Sequence, residues 1–209
     1  MGKSRLEAFS DGVMAIILTI MVLELRAPRG DSFAALRPLL PTFVGYALSF
    51  IYIAIYWNNH HHMLHAARKV NGPILWANTH LLFWLSLVPF ATAWMGGNHF
   101  AAGPVALYGA VLLMAALAYY LLSQCLIHHH GRGSLLEAAV GGDFKGKISI
   151  AIYASAICLS FVNRWAGFAL YWVVALIWLV PDRRIEKILA REAAGEDDPI
   201  ALGVPRREH

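Results

Sequence analysis

RLEAFSDGVMAIILTIMVLEL, residues 5–25, decides how the rest of this chain is read. From Gly12 to Leu23 the only polar side chain is Thr19, so the stretch reads as a helix able to enter a bilayer. Its first turns nevertheless carry Arg5, Glu7, Ser10 and Asp11. A carboxylate near the start of a membrane helix is costly unless something pairs with it. The question is what holds Asp11, and what the apolar stretch behind it faces.

Composition places that helix in a membrane protein. The chain has 209 residues, 58% hydrophobic and 14% charged, with a mean hydropathy of +0.54. Soluble domains carry about 25% charged residues. Apolar runs recur along the chain at the roughly 20-residue length that spans a hydrocarbon core. Cys125 and Cys158 both fall inside such runs and do not form a disulfide framework. No small-residue cleavage site follows the first stretch, so a removable signal peptide is not expected.

Six spans are predicted, at about 6–26, 39–64, 73–95, 103–127, 146–162 and 165–180, in an all-α integral membrane protein. Pro38 and Pro41 open the second, and Pro89 should kink the third. The last two are short and joined only by Asn163-Arg164. Residues 1–189 form one transmembrane domain, and 190–209 read as a flexible cytosolic tail. With six spans, both termini share a side that holds thirteen of the 17 basic residues, leaving Arg26, Arg29, Arg37 and Arg164 opposite. The positive-inside rule puts both termini in the cytoplasm of a multi-pass protein of the cell membrane. No internal repeat marks an inverted-repeat transporter.

On a helical wheel, Phe9, Gly12, Ile16, Thr19, Ile20 and Leu23 fall on one stripe. Asp11 lies roughly 140° from Ile16, with Glu7 one turn back on its side. The carboxylates are therefore expected to turn toward neighbouring helices. Arg5, Trp57, His60, Asn78 and His80 are the candidate partners.

Arg5-x-x-x-Phe9-Ser10-Asp11-Gly12-Val13-x-Ala15-Ile16 resembles the string that opens the first helix of the transmembrane-protein-175 family. These are potassium channels of lysosomes and endosomes, with six-helix bacterial homologues. The likeness continues through Trp57-x-x-His60-His61, Asn78 and Leu87-Val88-Pro89-Phe90. It implies a homotetramer with four first helices around a central pore and no filter loop, conducting potassium passively. By the same resemblance Ile16, Ile20 and Leu23 form an apolar constriction and Thr19 contributes to selectivity. Arg5, Phe9, Ser10, Asp11, Trp57, His60, Asn78 and His80 would anchor the helix. Asp11 is then an anchor and not an ion ligand. The partners implied are potassium and membrane lipid, with no cofactor, metal or nucleic acid.

Two features could mislead. Thr42-Phe43-Val44-Gly45-Tyr46 looks like a potassium-channel filter, but it sits inside a continuous apolar span where filter carbonyls would go unsatisfied. The clusters His60-His61-His62 with His65, and His128-His129-His130, raise the alternative of a metal-dependent membrane enzyme of desaturase or hydroxylase type. Three consecutive helical residues point about 100° apart, so neither triplet converges on one ion. Interfacial polar residues are the expectation for both clusters, with His60 reserved for the Asp11 network.

Overall fold

The computed structural model describes residues 2–67, 69–131 and 144–179. Seven α-helices account for most of them. Helix α1 is Lys3–Leu23, α2 Leu40–Ala66, α3 Gly72–Ser86, α4 Val88–Gly97, α5 Ala102–His130, α6 Phe144–Val162 and α7 Arg164–Leu179. A 3-10 segment, Phe33–Leu39, leads into α2. The expected tail at 190–209 lies outside the described residues.

The predicted third span was one kinked helix, but the chain builds two, α3 and α4, meeting at Leu87. Pro89 has no N–H to offer the carbonyl four residues back, so the ladder stops there. The Leu87 N–H closes a tighter turn on the Trp84 carbonyl at 3.2 Å, and Ala91 restarts the ladder on the Leu87 carbonyl at 3.0 Å. Together the two helices still make one apolar stretch, Gly72–Gly97, long enough to cross a membrane. Four other stretches of the described residues are long and apolar enough to do so. Helix α7, at 16 residues, is shorter, about 24 Å at 1.5 Å per residue.

Helix α5 is the hub, packing on α3, α4, α6 and α7, whereas α1 packs on α2, α3 and α4. Behind α1, Tyr52, Tyr108, Tyr153 and Tyr171 are buried between α2, α5, α6 and α7. A phenol away from water needs a hydrogen-bond partner. Tyr52 donates to the Tyr171 carbonyl at 2.6 Å and Tyr171 to the Val105 carbonyl at 3.1 Å. The Thr92 hydroxyl donates to the Val88 carbonyl. Ser49 therefore donates to Thr92 at 2.7 Å and Tyr108 to Ser49 at 3.0 Å. Among the described residues no buried side-chain polar atom lacks a partner.

The filter-like stretch is plain helix at the start of α2. Its role is close packing, because a β-carbon on Gly96 would stand 2.8 Å from the Thr42 α-carbon. That neighbour is backbone and cannot swing aside. Gly96→Ala is expected to force α2 and α4 apart at a cost of roughly 1–3 kcal/mol. Thermal denaturation of the purified protein in detergent checks this, and an unchanged midpoint would contradict it.

Candidate functional site

Helix α1 turns two different faces to its surroundings. Leu6, Ser10, Met14, Ile17 and Met21, spaced by three or four residues, are buried. Phe9, Gly12, Ile16, Thr19, Ile20 and Leu23 are exposed in the single chain, Ile16 at 57% and Leu23 at 74%. The stripe drawn from helical periodicity is therefore the stripe that the rest of the chain leaves uncovered. Thr19 donates its hydroxyl proton to the Ile16 carbonyl at 2.9 Å. Its oxygen lone pairs are left as acceptors on the exposed face.

What fixes that rotation is a buried chain of hydrogen bonds through Ser10. The Ser10 hydroxyl donates to the Leu6 carbonyl at 2.9 Å. It accepts from Asn78 Nδ2 at 3.0 Å. With Nδ2 directed at Ser10, Asn78 Oδ1 is the acceptor toward His60 Nε2 at 2.7 Å, so the imidazole proton sits on Nε2. Ser10 and Asn78 are fully buried, and His60 is 2% exposed. Two of these bonds join three helices, the third ties Ser10 back to its own helix, and every donor is assigned.

Asp11 meets one of its candidate partners, Trp57 on α2, but outside the buried chain. It is exposed, and its hydrogen bond is to Trp57 Nε1 at 3.0 Å. The buried anchor is its neighbour Ser10, because one residue along a helix turns a side chain by about 100°. The Arg5 side chain is exposed and makes no hydrogen bond or ion pair among the described residues, while Glu7 pairs with Lys3 at 3.8 Å. Phe9 belongs to the exposed stripe and not to the buried chain. His80 is also outside that chain. It accepts from Trp84 Nε1 at 2.9 Å within its own helix. Of the eight anchor candidates, the fold joins Ser10, Asn78 and His60 in one group and Asp11 with Trp57 in another.

Two features escaped the sequence reading. Glu24, just past the end of α1, shares a groove with Ile16, Ile20, Ser86, Pro89 and Phe90. Its position one turn beyond Ile20 was the available signal. The rings of Trp57, His61 and His65 stack successively at 6.1 Å along α2, and Lys3 Nζ donates to the His65 carbonyl at 3.0 Å. The i, i+4 spacing of these three residues carried that information. Among the described residues no three His, Cys, Asp or Glu side chains come together as a metal site.

The description "Endosomal/lysosomal potassium channel TMEM175" belongs to the family model that matches residues 5–89. A protein of Chryseobacterium sp. strain P1-3 named as a potassium channel is 57% identical over 189 residues, covering 90% of this chain and 98% of the relative. A Streptomyces collinus protein, also named as a potassium channel, is 33% identical over 84% of this chain and 91% of its own length. The crystal structure of a lysosomal potassium-selective channel TMEM175 homolog from Chamaesiphon minutus superposes with a TM-score of 0.75 at 26% identity. That match covers 85% of this chain and 96% of the other. These relatives are named as channels and not as enzymes, so the histidine-enzyme alternative has no support.

The two anchor groups differ in what their loss leaves behind. Asn78→Leu deprives a buried imidazole N–H of its acceptor, and each stranded buried group costs about 1–3 kcal/mol. Trp57→Phe removes one bond at an exposed position and is expected to cost under about 1 kcal/mol. Paired denaturation curves of the two variants test the ranking. Equal losses would remove the buried chain as the principal anchor.

Proposed function

The chain belongs to the TMEM175 family, and on that premise we propose that it is a potassium channel of the cell membrane. In this reading four copies place their α1 helices around one axis, with both termini in the cytoplasm. Conduction is passive, along the exposed stripe of α1, with no carbonyl filter loop. The observation that carries the reading is that stripe: six residues without an ionisable group, held outward by a buried hydrogen-bond chain on the opposite face. A transporter would be expected to place ionisable residues along its path.

Exposure alone would also suit a face turned to lipid. What favours a pore is the family: relatives that match along most of this chain are named as potassium channels, and the family match includes all of α1 from residue 5 onward. Rings of Ile16, Ile20 and Leu23 would then form a narrow apolar segment that can gate by dewetting. Between the first two rings stands Thr19, whose proton is already engaged, so four hydroxyl oxygens can face a cation and replace part of its hydration shell.

Reversal potentials in a planar bilayer, with KCl on one side and NaCl on the other, test both statements. The wild-type protein is expected to reverse toward the potassium equilibrium potential. Ile16→Asn should wet the constriction and raise conductance by roughly ten-fold, equivalent to about 1.4 kcal/mol in the barrier. Thr19→Val keeps the shape and removes the oxygens, so its reversal potential should move toward zero. Unchanged flux in Ile16→Asn would take Ile16 out of the pore.

A further inference from the structure

The His128–His130 cluster, which the channel reading leaves without a task, sits where α5 ends against residues 69–71, the lead into α3. Two bonds join them. Asn71 Nδ2 meets His129 Nδ1 at 3.1 Å, and the Lys69 backbone N–H donates to His130 Nε2 at 3.3 Å.

The protons at both contacts can be assigned. Asn71 Oδ1 caps α3 by accepting from the Ile74 N–H at 3.1 Å. Its amide is thereby oriented with Nδ2 toward His129, and His129 Nδ1 must be the acceptor. His130 accepts at Nε2 while its Nδ1 faces the Leu126 carbonyl at 2.8 Å, so its proton belongs on Nδ1. Each bond therefore requires a neutral ring. A second proton on either imidazole would set N–H against N–H.

We propose that His129 and His130 form a pH-sensitive latch, closed when both rings are neutral, that holds the start of α3 against the end of α5. Histidine is the side chain whose charge ordinarily changes between pH 5 and 8. Lys69 and His129 are exposed and Asn71 and His130 half-buried, so solvent protons reach the latch. The titratable and charged groups at this end of the chain's helices are His128 on α5, His61, His62 and His65 at the end of α2 that leads into the segment, and Lys3 and Glu7 at the start of α1, where Lys3 donates to the His65 carbonyl. Lys69 lies within the latched segment, and Lys145 and Lys147 lie in the first turn of α6. Arg68, Arg132, Glu137 and Asp143 lie outside the described residues. Lys3 and Glu7 are paired with each other.

The latch bears on conduction because α3 carries Asn78, which grips Ser10 of α1. Acid on that face releases the start of α3 and loosens the grip on the pore helix. This coupling rests on the channel reading, whereas the opening of the latch does not.

The test uses the whole protein in liposomes at pH 8 and pH 5.5. It compares wild type with the double variant His129→Asn, His130→Gln, whose carboxamide oxygens stand in for the two acceptor nitrogens and do not titrate. Hydrogen exchange, corrected for the intrinsic pH dependence, reports on the amides of Lys69 and Ile74. Wild-type protection at both is expected to fall about ten-fold at pH 5.5 and the variant's to hold. Equal protection at the two pH values, or an equal fall in the variant, overturns the latch. Potassium flux from the same liposomes should change with pH in the wild type at least three-fold more than in the variant. A latch that opens without altering flux overturns the coupling to the pore. Absence of flux at every pH counts against the channel reading, and exchange still decides the latch.

Discussion

Three hydrogen bonds, from His60 through Asn78 and Ser10 to the Leu6 carbonyl, set the constraint on which the rest of this fold depends. In a bilayer a polar group cannot fall back on water, so a buried hydroxyl, amide and imidazole must find one another. Their pairing admits one rotation of α1 about its axis. That rotation buries Leu6, Met14, Ile17 and Met21 and turns Ile16, Thr19, Ile20 and Leu23 away from the other helices. The apolar residues of α1 could be buried on either face with similar benefit. It is the polar residue among them that chooses.

The remaining helices divide the work by distance from α1. Helices α2, α3 and α4 touch it and supply its partners, while α5 gathers α3, α4, α6 and α7 behind them. The tyrosine hydroxyls rivet that rear assembly through backbone carbonyls and the Ser49–Thr92 pair. Because Tyr52 and Tyr171 each donate to a carbonyl, the seam is a set of fastenings and not a continuous relay. The interruption at Leu87 lets α3 follow α1 and α5 while α4 closes on α2, where Gly96 and Thr42 meet backbone to backbone.

The exposed stripe of α1 carries no ionisable group, and the polar groups near it are engaged elsewhere. Asp11 is held by Trp57, Glu7 by Lys3, and the Thr19 proton by the Ile16 carbonyl. Histidines that resemble a metal enzyme's in sequence are distributed over unrelated contacts. His60 lies in the buried chain, His61 and His65 in a ring stack, and His129 and His130 against the residues that lead into α3.

The amino-acid sequence by itself determined where the helices run and which stripe of α1 shares a face. Apolar length and 3.6-residue periodicity are local properties, and they survive folding unchanged. It also carried the family string from Arg5 to Ile16. What it left open was which polar residue the core would accept. Asp11 stood out by charge, yet Ser10 is the buried anchor, and His80 turned to Trp84 in its own helix. Pro89 signalled a kink, but not that the helix would stop and restart at Leu87, and nothing local showed that His129 and His130 meet the lead into α3. Hydrogen-bond partners are contributed by residues up to 119 positions apart, and only tertiary packing brings such groups within 3 Å. Rotation, pairing and helix breaks are settled there, because in a bilayer each buried donor must be matched by an acceptor from another part of the chain.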